Sequence, residues 1–122
     1  MGDPHKLGPK GEDYALSLLR RRGHTLLERN FLCPQGEIDL ITWQKDTLVF
    51  TEVRAREEDR ARSPAESVTP AKQRRIVRAA KVYVLKRAGH KPLPNIRFDV
   101  VWINAKQGEI TGGGVMEGAF TA

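Results

Sequence analysis

A chain of 122 residues, 39% hydrophobic and 30% charged, has enough apolar material for one core and not for two, so a single domain over residues 1–122 is expected. Its lone cysteine, Cys33, excludes an internal disulfide and a multi-cysteine zinc centre. No apolar run reaches the length of a membrane span and the N-terminus lacks the apolar stretch of a secretory signal, which predicts a cytoplasmic protein.

Residues 1–7 read as irregular. Gly8-Pro9 opens a first helix that runs to about Arg22, with Gly23 as its stop and Ala15, Leu16, Leu18 and Leu19 as its core stripe. At roughly 100° per residue, Glu12 falls within about 60° of Ala15, Leu16 and Leu19, so it lies on or beside the buried face. Residues 25–31 read as a strand, followed by a turn at Cys33-Pro34-Gln35-Gly36. Two β-rich runs over 38–43 and 48–53 then flank the polar turn Gln44-Lys45-Asp46-Thr47. Residues 55–66 mix Arg, Glu and Asp without periodicity and read as a mobile loop.

Thr69-Pro70 is a strong helix start, N-cap then N1, for a second helix to about Arg87 whose buried stripe is Ile76, Val77, Ala80, Tyr83 and Val84. Gly89 and Pro92-Leu93-Pro94 end it. Residues 97–104 form a fourth strand, a turn follows around Lys106-Gln107-Gly108, and a short fifth strand is expected near Ile110. Gly112-Gly113-Gly114 and the tail over about 112–122 read as irregular. The order αβββαββ predicts an α/β or α+β sandwich in which helices cover a mixed sheet. The second helix is the natural crossover to a parallel fourth strand.

Symmetric pairing across the hairpin turn places Trp43 opposite Leu48, Ile41 opposite Phe50, Asp39 opposite Glu52 and Glu37 opposite Arg54. Alternation then puts Asp39 and Glu52 on one apolar face. Like charges directly opposite are destabilising, so a proton, a basic neighbour or a metal ion should compensate. Cross-strand Cβ atoms about 5 Å apart and metal–oxygen bonds of about 2.1 Å let one Mg²⁺ span such a pair. An ion-pair network with Arg54 at a wet sheet end explains the same residues.

The basic charge is concentrated. The chain carries +6 net, yet residues 67–98 hold nine Lys or Arg and no acid, while the other 12 basic residues face all 15 acids. Such a split is an electrostatic footprint for nucleic acid, although a solvated helix face produces it too. Arg74, Arg78 and Lys81 line one face of the second helix.

Taken together, GPKGEDYA, QGEIDLI, FTEVR, SVTPAKQRRI and RFDVV resemble the YraN family, small bacterial proteins of the restriction-endonuclease-like superfamily similar to archaeal Holliday-junction resolvases. The resemblance runs from Gly8 to about Phe120 and implies an αβββαβ core with a mixed central sheet flanked by helices. Through the PD-(D/E)XK pattern it also implies metal ligands at Asp39 and Glu52, a supplementary acid at Glu12 and the basic catalytic position at Arg54. Mg²⁺ or Mn²⁺ as cofactor, branched or distorted DNA as partner and a homodimer are further implications. Lys72, Arg74, Arg75, Arg78 and Lys81 are the expected nucleic-acid contacts. Ile38 stands where the pattern has a nominal proline, and Arg54 where it has a lysine.

The implied activity is structure-selective DNA endonuclease chemistry. Arg54 keeps the positive charge and can grip a phosphate through two N–H groups, but it cannot give up a proton. The alternative is therefore a DNA-binding protein of the same fold with impaired catalysis, and a partner-binding scaffold is the third reading. Cys33 is expected as a small, half-buried thiol, and His5, His24 and His90 follow no ligand spacing. Gly112-Gly113-Gly114 lacks the lysine and helix of a phosphate loop, while Trp43 and Trp102 are expected in the core.

Overall fold

The computed structural model describes residues 7–57, 68–88 and 94–122. The elements follow the expected order: α1 (Gly8–Arg21), β1 (His24–Cys33), β2 (Gly36–Gln44), β3 (Thr47–Glu57), α2 (Pro70–Ala88), β4 (Asn95–Lys106) and β5 (Glu109–Phe120). The five strands form one sheet in the order β1-β2-β3-β4-β5. β3 and β4 are parallel with α2 as their crossover, and every other neighbouring pair is antiparallel. This is the α/β core of a restriction-endonuclease-like fold, extended by β5. Among the described residues, no helix is long and apolar enough to cross a membrane.

Each face of the sheet has its own core. Ile41, Leu48, Phe50, Phe98 and Val100 pack against Ile76, Ala79, Ala80, Tyr83 and Val84 of α2. Leu40, Val53, Val101 and Ile103 pack against Ala15, Leu16 and Leu19 of α1. Period-2 strands between two helices bury their side chains on both faces, and each fully buried Leu, Ile, Val or Phe contributes about 1.5–3 kcal/mol. That burial offsets the cost of holding Asp39 and Glu52 in the same sheet, at 2% and 3% exposure.

The helix boundaries follow the capping chemistry. Gly23 (φ 89) ends α1, its N–H bonded to the Arg20 carbonyl. At α2, the Thr69 hydroxyl accepts from the Lys72 N–H at 3.2 Å and the Thr69 carbonyl from the Gln73 N–H at 2.8 Å. The β2–β3 hairpin has the two-residue loop Lys45-Asp46, with Trp43 paired to Leu48 and Ile41 to Phe50 as counted.

Two expectations are corrected. Ala55, Arg56 and Glu57 belong to β3, paired in parallel with Ile103, Asn104 and Ala105, so the strand extends into the stretch read as a loop. The rest of that loop, residues 58–66, lies outside the described residues, as do residues 1–6, Gly89, His5 and His90. The glycine run and tail are also ordered: β5 continues to Phe120, with Gly112, Gly113 and Gly114 opposite Asn104, Ile103 and Trp102. A Cβ on Gly113 would meet the Trp102 carbonyl and one on Gly114 the Trp102 ring, so glycine is what lets β5 approach β4. Trp102 is half-buried, and Trp43 packs against the α2-side core.

Candidate active site

At the end of the sheet where the β2–β3 ladder stops, a cavity of about 500 Å³ opens between the N-terminal turns of the two helices. Glu12 of α1, Asp39 of β2, Glu52 of β3 and Lys72 and Arg75 of α2 all line it, together with Gly36, Glu37, Val53 and Ile76. Glu12, Asp39 and Glu52 thus converge from three elements.

The β1–β2 ladder pairs Arg29 with Leu40 and Phe31 with Ile38, and between them Asn30 has a left-handed φ of 52. Ile38 joins Ile41 in the α2-side core, which strict alternation would not permit. On the other side of β2, regular pairing runs from Gln44–Thr47 to Leu40–Thr51, one step short of Asp39 and Glu52. Beyond that step the Val53 N–H donates to Asp39 Oδ2 at 2.7 Å. Asp39 therefore acts as a side-chain cap on the ladder as well as a cavity-lining acid.

Glu52 sits among cations. Lys72 Nζ lies 3.0 Å from its Oε2, a hydrogen-bonding distance, and Arg54 Nη1 lies 3.6 Å from the same atom. Arg54 is buried at 5% exposure and is not among the described residues lining the cavity, whereas the Lys72 side chain is 24% exposed and does line it. Glu12 is held through Oε1 by Arg29 Nη2 at 3.2 Å and Asn30 Nδ2 at 3.0 Å. Arg29 also contacts Asp13 at 2.9 Å, and its hydrogen bonds to Asp13 and then Glu12 raise its pKa further.

Among the described residues, no three His, Cys, Asp or Glu side chains form a ready-made metal cage. The donor chemistry nevertheless fits a hard divalent cation. Mg²⁺ is usually held by one or two carboxylates while it retains water, and a carboxylate has about four lone-pair sites, so a hydrogen bond on one oxygen does not exhaust it.

The five basic residues expected to contact nucleic acid divide. Lys72 and Arg75 face the cavity, while Arg74 and Arg78 border a groove with Thr121 and Ala122, and Lys81 is exposed. Helical spacing carried the signal for Lys72, four residues before Ile76 and seven before Ala79 on the buried stripe. Arg29 and Asn30, which hold Glu12, have no comparable signature in a strand of mixed polarity. Cys33 is half-buried, its thiol 3.5 Å from the Gly36 carbonyl. His24 is buried at the start of β1, with Nδ1 2.7 Å from Thr42 Oγ1.

Comparison with known proteins places this arrangement in a family. A family model described as "Uncharacterised protein family UPF0102" matches residues 11–103, a span that includes Glu12, Asp39, Glu52, Arg54, Lys72 and Arg75. A UPF0102 protein of Herminiimonas arsenicoxydans is 46% identical over 101 residues, covering 83% of this chain and 79% of the relative. One from Chlorobium phaeobacteroides is 40% identical over 114 residues, 93% of this chain and 87% of the relative. One from Clostridium perfringens is 46% identical over 101 residues, 80% and 79% of the two chains. The chain belongs to the UPF0102 family, the YraN family to which its motifs point.

Proposed function

We propose that the protein is a Mg²⁺- or Mn²⁺-dependent endonuclease that hydrolyses phosphodiester bonds in DNA and selects branched or distorted structures. The observation that carries this reading is the convergence of Glu12, Asp39 and Glu52 on one cavity that also contains Lys72 and Arg75. Three carboxylates with two cations suit a divalent ion facing a phosphate.

Phosphodiester hydrolysis needs a nucleophilic water, stabilisation of charge developing on the phosphoryl oxygens and an exit for the leaving oxygen. Asp39 and Glu52 would hold the metal, with Glu12 as the supplementary acid. A bound divalent ion supplies Lewis acidity that activates water and screens the phosphate. Arg75 offers a fork of N–H donors to phosphate, and Arg54 holds Glu52 from within the sheet. No base-reading motif occurs in the chain, so recognition works through backbone and shape. Symmetric cutting of both strands of a junction requires two such cavities, hence a dimer on DNA.

The test is incubation of the purified protein with four-way junction, flap and linear DNA in Mn²⁺, Mg²⁺ or EDTA. Metal-dependent cleavage that disappears in Glu52→Ala supports the nuclease. Salt-sensitive binding without cleavage in any metal supports the alternative, a DNA-binding protein in which Arg54 blocks hydrolysis. Absent or salt-insensitive DNA binding rejects both.

A further inference from the structure

We infer that Lys72, carried by the first turn of α2, meets the scissile phosphate, and that the strand residue Arg54 is a positioning residue for Glu52. This rests on the reading of the cavity as a phosphodiesterase site. The two cations approach the same oxygen, Glu52 Oε2, at 3.0 Å and 3.6 Å, but from different surroundings. Arg54 is buried and does not border the cavity, whereas Lys72 does. A side chain that touches substrate must border the space that substrate enters.

The helix gives a second reason. The Thr69 cap places Lys72 at the third position of α2, where the aligned peptide dipoles present partial positive charge and disfavour a cation. The first turn of α2 contains no acid to relieve this. Glu52 supplies one compensating anion, and the same field draws in a phosphate. The buried-stripe spacing of Lys72 with Ile76 and Ala79 also separates it from the outward Arg74 and Arg78.

An ammonium has three donors in a compact charge, so it can hold Glu52 and a phosphoryl oxygen together. In the hydrolysis, the water oxygen forms a bond to phosphorus as the bond to the leaving oxygen breaks. The water loses a proton to solvent and the leaving oxygen gains one. Lys72 contributes fixed charge to this exchange and transfers no proton.

The test compares wild type, Lys72→Met, Lys72→Arg and Arg54→Lys by single-turnover cleavage of a four-way junction in Mn²⁺. Mn²⁺ binding without DNA and thermal unfolding are measured in parallel. Loss of one preorganised charge contact predicts at least about a hundredfold slower cleavage in Lys72→Met, with Mn²⁺ binding retained. Lys72→Arg, which keeps the charge, should recover at least about tenfold of that loss, and Arg54→Lys, at a positioning residue, should give no gain over wild type. Cleavage by Lys72→Met within about fivefold of wild type overturns the inference alone, as does a gain of about a hundredfold in Arg54→Lys. Loss of Mn²⁺ binding in step with cleavage in Lys72→Met also overturns it. A wild-type protein that neither binds Mn²⁺ nor cleaves overturns this inference and the proposed function together.

Discussion

Asp39 Oδ2 accepts a hydrogen bond from the Val53 N–H at 2.7 Å, and regular β2–β3 pairing ends one step earlier, at Leu40–Thr51. One carboxylate therefore closes the ladder and faces the cavity. Charged hydrogen bonds of this kind contribute about 1.5–3 kcal/mol, so Asp39→Ala should lower unfolding stability by that amount in urea titrations. Asp39→Asn keeps an acceptor oxygen and should lose less stability, yet it should lose Mn²⁺ binding. The pair of variants separates the structural role from the chemical one.

Glu52 is buried between Lys72 and Arg54, so truncating it strands cations rather than deleting a neutral contact. Breaking a buried ion pair from one side costs about 3–5 kcal/mol. Glu52→Ala should fall at the lower end, because the partly exposed Lys72 can turn toward solvent while Arg54 remains inside. Equilibrium urea unfolding measures this directly, and an unchanged midpoint would contradict the burial argument.

Gly114 should be intolerant of any side chain, because a Cβ there would overlap the Trp102 ring. Gly114→Ala is expected to cost about 1–3 kcal/mol through overpacking and to alter the tryptophan near-UV signal. Gly112→Ala is the matched control, since its Cβ meets nothing within 4 Å.

The glycine run also shows what was hidden in the sequence. Element order, the hairpin register and the α2 crossover were legible because caps, alternation and turn residues are local signals. A short fifth strand near Ile110 was legible too, but its extension to Phe120 was not, because glycines carry no β signal and their place was set by Trp102, on a different strand. At the site, symmetric pairing set Asp39 opposite Glu52; the two line one cavity, but regular pairing ends at Leu40–Thr51, and neither the left-handed Asn30 nor the Asp39–Val53 bond could be foreseen. Lys72 was read as part of a basic surface because charge counting ignores helical phase. Its spacing from Ile76 already set it apart from Arg74 and Arg78.

His24 gives a pH prediction. Burial holds its imidazole below the ordinary 6.5, with Asp99 opposing that shift less strongly, and Nε2 has no hydrogen-bond partner among the described residues. The unfolded chain therefore binds the proton more readily than the native one. The His24 contribution to stability should be intact above pH 6.5 and should fall as pH drops from 6.5 toward the lowered native value. Thermal unfolding from pH 7.5 to 5 should show a shallower pH dependence in His24→Gln than in wild type.

The central claim is that Asp39 and Glu52, with Glu12 as the supplementary acid, would hold a divalent metal for cutting DNA. The most direct test is cleavage of a labelled four-way junction in Mn²⁺ by wild type and by Asp39→Asn, with EDTA as the control. Cleavage by wild type, abolished by EDTA and reduced at least about a hundredfold in Asp39→Asn, is the predicted result. Salt-sensitive junction binding by a folded wild type with no Mn²⁺- or Mg²⁺-dependent cleavage would contradict it.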